Sequence, residues 1–169
     1  MDSLSIDALA LPDITKPEMD FIESSFFQSS DCQMPRLPSP ASIIQQYGNQ
    51  GHVVIIEHLV LAVKIGYADR VRLEEVQAMR AIRQVFLHYE IPIPKVFGWR
   101  THGQQLFMYM SLVQGITLFQ AWPFLTPDDM TSIQRDLRRV TSLLRQIVQL
   151  EPENICMSES SREWHQNLC

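Results

Sequence analysis

Leu59-Val60-Leu61-Ala62-Val63-Lys64-Ile65 is an aliphatic run with a single lysine set into it. The run predicts a short strand, and strand side chains alternate faces, so Lys64 shares a face with Val60 and Ala62. An ammonium on an apolar face is costly unless an opposite charge meets it. The segment from about Asp69 to Tyr89 has the period of a helix. At about 100° per residue, Glu75 falls in one arc with Val71, Ala78, Met79, Ile82, Phe86 and Tyr89, while Arg72, Arg80 and Arg83 cover the other side. Glu75 therefore reads as a carboxylate buried in the apolar stripe, and Lys64 as its partner. A buried ion pair that binds nothing is the plainer reading of the same two residues.

Working outward, His52 to Glu57 (HVVIIE) predicts a second strand, joined to the first by a turn at His58. It is preceded by Gly48-Asn49-Gln50-Gly51, where glycines would let backbone amides approach a phosphate; a two-glycine turn into a strand is the bland alternative. Before that, Ser39 or Ser42 is placed to cap a brief helix over Ile43, Ile44 and Tyr47. PRLPSP (35–40) reads as a linker, and residues 1–34, with Phe21, Ile22, Phe26 and Phe27, as a loosely held extension wrapping the domain.

Downstream, Ile91-Pro92-Ile93-Pro94 forces an extended path. Lys95 to Arg100 and Leu106 to Leu112 then predict an antiparallel pair around Thr101-His102-Gly103-Gln104. Gly115 marks an exit from the last strand. Thr126 fits an N-cap, Pro127 the first helical position, and Asp128 and Asp129 the positive end of a helix over 127–150. Ile133, Leu137, Val140, Leu144 and Ile147 form its apolar face. Left wet, those five side chains would forfeit on the order of 7–15 kcal/mol, so the face predicts association. Residues 151–169 are a polar tail.

The bulk composition narrows the classes. The 169 residues are 46% hydrophobic and 20% charged, ordinary for one globular domain. A net charge of −5 argues against nucleic acid as a partner. Cys32, Cys156 and Cys169 are too scattered for a disulfide framework, the N-terminus lacks the features of a secretory signal, and no apolar run is long enough for a membrane span. A cytoplasmic protein is expected, with no metal-ligating spacing among its five histidines.

In order and spacing these features resemble the aminoglycoside-phosphotransferase and choline-kinase-like family, especially its fungal small-molecule-kinase-like branch, over roughly Gly48 to Leu150. Val63-Lys64 looks like the family's strand lysine, and Glu75 with Val76, Ala78 and Met79 like its helix start. Ile91 to Gly98 is close to its IPVPKVYG, and Phe107 to Gly115 resembles the hinge that embraces adenine, with Ser111 in place of the usual acidic residue. Thr117-Leu118 and Trp122 match the segment after the hinge.

The resemblance implies an α+β fold: a protein-kinase-like N-lobe of four to five antiparallel strands with one packed helix (41–112), a hinge and the first helix of a truncated C-lobe (113–150), behind an extension and linker (1–40). It implies weakly held ATP, with Lys64 on the α- and β-phosphates, Glu75 orienting it, Gly48 and Gly51 near phosphate, and Met110, Leu112 and Val113 at the purine. The family's His-Gly-Asp loop and later Mg²⁺-binding aspartate have no counterpart here; His165-Gln166-Asn167-Leu168 carries an amide, which cannot accept a proton. The chain is therefore expected to be a catalytically incompetent, kinase-like protein of regulatory or accessory role. An incomplete version of an active ATP-dependent phosphotransferase, with its small-molecule acceptor undefined, is the first alternative. A non-nucleotide interaction module is the second. A protein partner, or self-association, is expected at the 127–150 helix.

Overall fold

The computed structural model describes residues 4–5, 11–28, 35–48, 53–86 and 91–148. The fold is α+β, with a five-stranded antiparallel sheet and four helices. In chain order the strands are β1 (Leu4–Ser5), β2 (Glu18–Asp20), β3 (Val53–Ile56), β4 (Leu61–Tyr67), β5 (Val96–His102), β6 (Gln105–Ser111) and β7 (Ile147–Val148). The helices are α1 (Pro40–Tyr47), α2 (Leu73–Val85), α3 (Leu118–Ala121) and α4 (Pro127–Leu144). The large sheet runs β2-β5-β6-β4-β3, and β1 pairs with β7 in parallel as a separate ribbon.

The expected hairpin of β5 and β6 turns on Gly103-Gln104, where Gly103 has φ +60°, a positive angle that a two-residue connection wants at its first position. β4, an interior strand, is buried on both faces except at Lys64 and Tyr67, as its largely apolar run requires. On one face Val54, Ile56, Leu61, Val63, Ile65, Phe107 and Tyr109 pack with Ile43 of α1, Phe26, Phe27 and Leu37. On the other, Trp99, Met108, Leu106 and Val96 meet Val71, Val76 and Phe21.

The segment read as a loose extension and linker is held more firmly than composition suggests. β2 lies on the sheet edge, registering Glu18, Met19 and Asp20 against Arg100, Trp99 and Gly98. Arg100 grips both oxygens of Asp20 at 2.7 and 2.8 Å and reaches Glu18 at 3.3 Å. A Cβ on Gly98 would run into the Met19 carbonyl, so glycine lets β2 close on β5. Within the proline-rich stretch Leu37 is buried, and the Pro38 carbonyl accepts from the Tyr109 hydroxyl at 2.7 Å. Burial raises the pKa of that phenol well above its ordinary value.

Two helices differ from their expected limits. α2 begins at Leu73 rather than near Asp69, and it is turned relative to the predicted arc: Val76 and Ala81 are its buried residues and Ala78 is exposed. Arg80, expected on the solvent side, lies inward with its guanidinium 3.8 Å from the Phe21 ring centre. The cause is the N-terminal segment packing over the helix, where a delocalised cation and its aliphatic stem serve as packing surface. Tyr89 lies outside the described residues. α4 stops at Leu144, so Ile147 belongs to β7 and not to the helical stripe. Its start is as expected: Thr126 caps Asp129 N–H, and Asp129 answers by accepting from the Thr126 amide and hydroxyl. Those bonds hold the Asp129 carboxyl below its usual pKa. No residue of α4 is fully buried, and Leu137 is 57% exposed. Among the described residues no helix is long and apolar enough to cross a membrane.

Candidate functional site

Lys64 and Glu75 meet. Nζ of Lys64 lies 2.5 Å from Oε2 of Glu75, while Oε1 of Glu75 accepts from the Arg72 backbone N–H at 3.3 Å. Because α2 starts at Leu73, Glu75 is the third residue of the helix, where its charge complements the helix's positive end. One carboxylate therefore caps its own helix and orients the strand lysine. The pair is not buried as expected: the side chains keep 33% and 37% of their exposure, because the lysine lies at the margin of the area that α2 covers.

Strand register explains what surrounds the ammonium. Lys64 stands opposite Met108 on β6 and Val53 on β3, and Ala62 stands opposite Met110 and Ile55. Residues directly opposite share a face, so these six side chains lie on one side of the sheet. Over β5 and β6 that side is roofed by α2, and Met108 is fully buried. Over β3 no described element covers that side, and Val53 and Ile55 are 54% and 51% exposed. A cation beside an open apolar shelf is the result. Sequence reading missed Val53 and Ile55; the signal was present in the alternation of β3, whose outward residues are as apolar as its inward ones.

Val60 was expected on the lysine's face of the strand, but it closes the turn before β4 in the left-handed region, at φ 50° and ψ 42°. That conformation costs a residue with a Cβ about 1–2 kcal/mol. Its carbonyl accepts from Leu112 N–H at 3.0 Å, tying the turn to the exit of β6. Val60→Gly is expected to raise the urea midpoint, stabilising the fold by up to about 1 kcal/mol, because relief of strain exceeds the added unfolded-state entropy. An unchanged or lowered midpoint in equilibrium unfolding would count against strain at this turn.

The other predicted site residues are placed as follows. Met110 is half-buried on β6. The Leu112 amide is occupied by Val60, which leaves Val113, 67% exposed and bonded to no other described residue, as the open backbone of the exit. Ser111 accepts the Lys95 N–H through Oγ at 2.9 Å and donates its own N–H to the Lys95 carbonyl at 2.8 Å. Gly115 follows with φ +128°, a conformation that favours glycine. Gly48 is the C-cap of α1, with φ +84° and its N–H donated to Ile44. Gly51 and His165 to Leu168 lie outside the described residues. Among the described residues no three metal-ligating side chains come together.

Compared with protein-family models, with curated proteins and with solved structures, the chain matches none.

Proposed function

We propose that residues 53–113 form a nucleotide-binding lobe of the kind found in aminoglycoside-phosphotransferase and choline-kinase-like proteins, holding ATP weakly in a regulatory or accessory role. The observation that carries the reading is the Lys64–Glu75 pair at the edge of an open apolar shelf. A lysine fixed by a helix glutamate is the arrangement with which kinases engage the α- and β-phosphates. A purine has flat apolar faces and a polar edge. Val53 and Ile55 supply a surface for the first, and the unbonded backbone at Val113 supplies partners for the second.

The proposal covers binding and leaves transfer outside it. General-base assistance needs a carboxylate within hydrogen-bond reach of the acceptor hydroxyl. Near the ammonium the placed carboxylate is Glu75, already engaged twice. A protein partner or self-association at α4 is proposed alongside, supported by the exposure of Leu137, Leu144 and the preceding Phe119 and Phe124.

Isothermal titration of the full chain with ATP tests the central claim. Saturable heat, with a matching rise in melting midpoint, is expected. A titration silent in both readouts would remove nucleotide binding and leave the interaction-module reading.

A further inference from the structure

α4 carries two unlike surfaces. At about 100° per residue, Met130, Ile133, Leu137, Val140 and Leu144 fall within one arc of about 80°. Arg135, Arg138 and Arg139 are centred on the opposite side of the helix. Both surfaces are open: no residue of α4 is buried, Leu137 is 57% exposed, and all three arginines are exposed. Among the described residues the three guanidiniums meet no hydrogen-bond or ion-pair partner, the neighbouring Asp136 included. Asp128 and Asp129 are confined to the first turn, where they complement the helix's positive end.

An occupant that satisfies this helix has to meet both sides at once. A bilayer reaches one side only, so insertion of the apolar arc would hold Arg135 away from the lipid head groups. A second copy packed on the arc would likewise leave the guanidiniums in water. A groove with an apolar floor, whose walls close round the helix with carboxylates, meets both. At about 1.5 Å per residue α4 spans about 27 Å. Its apolar residues recur at the i, i+3, i+4 and i+7 spacing by which helices anchor in such grooves.

We propose that α4 is held by a calcium-loaded EF-hand sensor, a protein whose methionine-rich apolar groove opens on Ca²⁺ binding. Basic amphipathic helices are the targets of such clasps. Flexible thioether side chains repack around aliphatic anchors of different shape, and carboxylates of the clasp answer the arginines on the far side. Association then follows the calcium level, which gives an accessory protein a switch. The inference rests on the association proposed for α4 and names its partner. It does not rest on nucleotide binding, since none of these residues belongs to the Lys64 site.

The test is isothermal titration of the full chain with calmodulin as the clasp, in calcium and again in excess EGTA. Saturable heat in calcium, absent in EGTA, is expected. Leu137→Asp should weaken binding at least about tenfold, because it puts a charge on the central anchor. Arg135→Gln, Arg138→Gln and Arg139→Gln together should do the same. Both variants should keep the melting midpoint of the parent chain, because the altered side chains are exposed. The same proteins are sedimented with phosphatidylserine vesicles and sized by light scattering. No heat with calmodulin in calcium would overturn the proposal, as would binding that survives EGTA or the arginine substitutions. Vesicle binding lost with the arginines would then assign α4 to a lipid surface. A dimer lost in Leu137→Asp would assign it to a second copy and leave association at α4 standing. A monomer that binds neither calmodulin nor vesicles would remove the association reading as well.

Discussion

Trp99→Ala is expected to destabilise the fold by about 3–5 kcal/mol, a large part of a typical domain's stability. Trp99 is fully buried at the centre of the face that meets α2, and it stands opposite Met108 on one side and Met19 on the other. Its ring meets Phe21 edge-on at 5.7 Å, and Nε1 donates to the Lys16 carbonyl at 3.1 Å. One side chain thus joins β5, β6, α2 and the N-terminal segment. Truncating a buried tryptophan costs about 3–5 kcal/mol, against a typical domain total of about 5–15 kcal/mol. Trp99→Phe keeps the ring contact and loses the N–H, so a cost nearer 1 kcal/mol is expected for the hydrogen bond, plus a share for lost volume. Urea unfolding followed by circular dichroism measures both. A Trp99→Ala midpoint equal to that of the unsubstituted chain would mean that the N-terminal segment does not belong to this core.

Lys64→Met should separate binding from stability. An ion pair with both partners about a third exposed contributes roughly 0–1 kcal/mol. Its removal does not orphan Glu75, which keeps the Arg72 N–H. The unfolding midpoint should therefore move little. ATP affinity should fall at least about tenfold, or about 1.4 kcal/mol, because the cation fixed beside the apolar shelf is gone. Calorimetry on the two proteins decides the matter. Equal ATP heats would place the nucleotide elsewhere, and a large loss of stability would recast the pair as structural.

Much of this was legible along the chain. The lysine in an aliphatic run and the glutamate one element later do pair, because a short connection between strand and helix leaves few ways for opposite charges to avoid each other. Of the two candidates Ser39 and Ser42 it is Ser39 that caps, accepting from the Ser42 amide, and Thr126 caps as expected, since capping is decided within one turn. Non-local packing settled the remainder. Periodicity gives the shape of an apolar arc but cannot say that a Phe21 ring will bring Arg80 inside and leave Ala78 out. Glu18-Met19-Asp20 carries too few residues to announce a strand and becomes one by pairing with Arg100 and Gly98, about eighty positions away. The shelf of Val53 and Ile55 is open because α2 packs over β5 and β6 and not over β3. Which apolar residues remain exposed depends on where the covering element ends, and that is set by the folded arrangement rather than by any local run of residues.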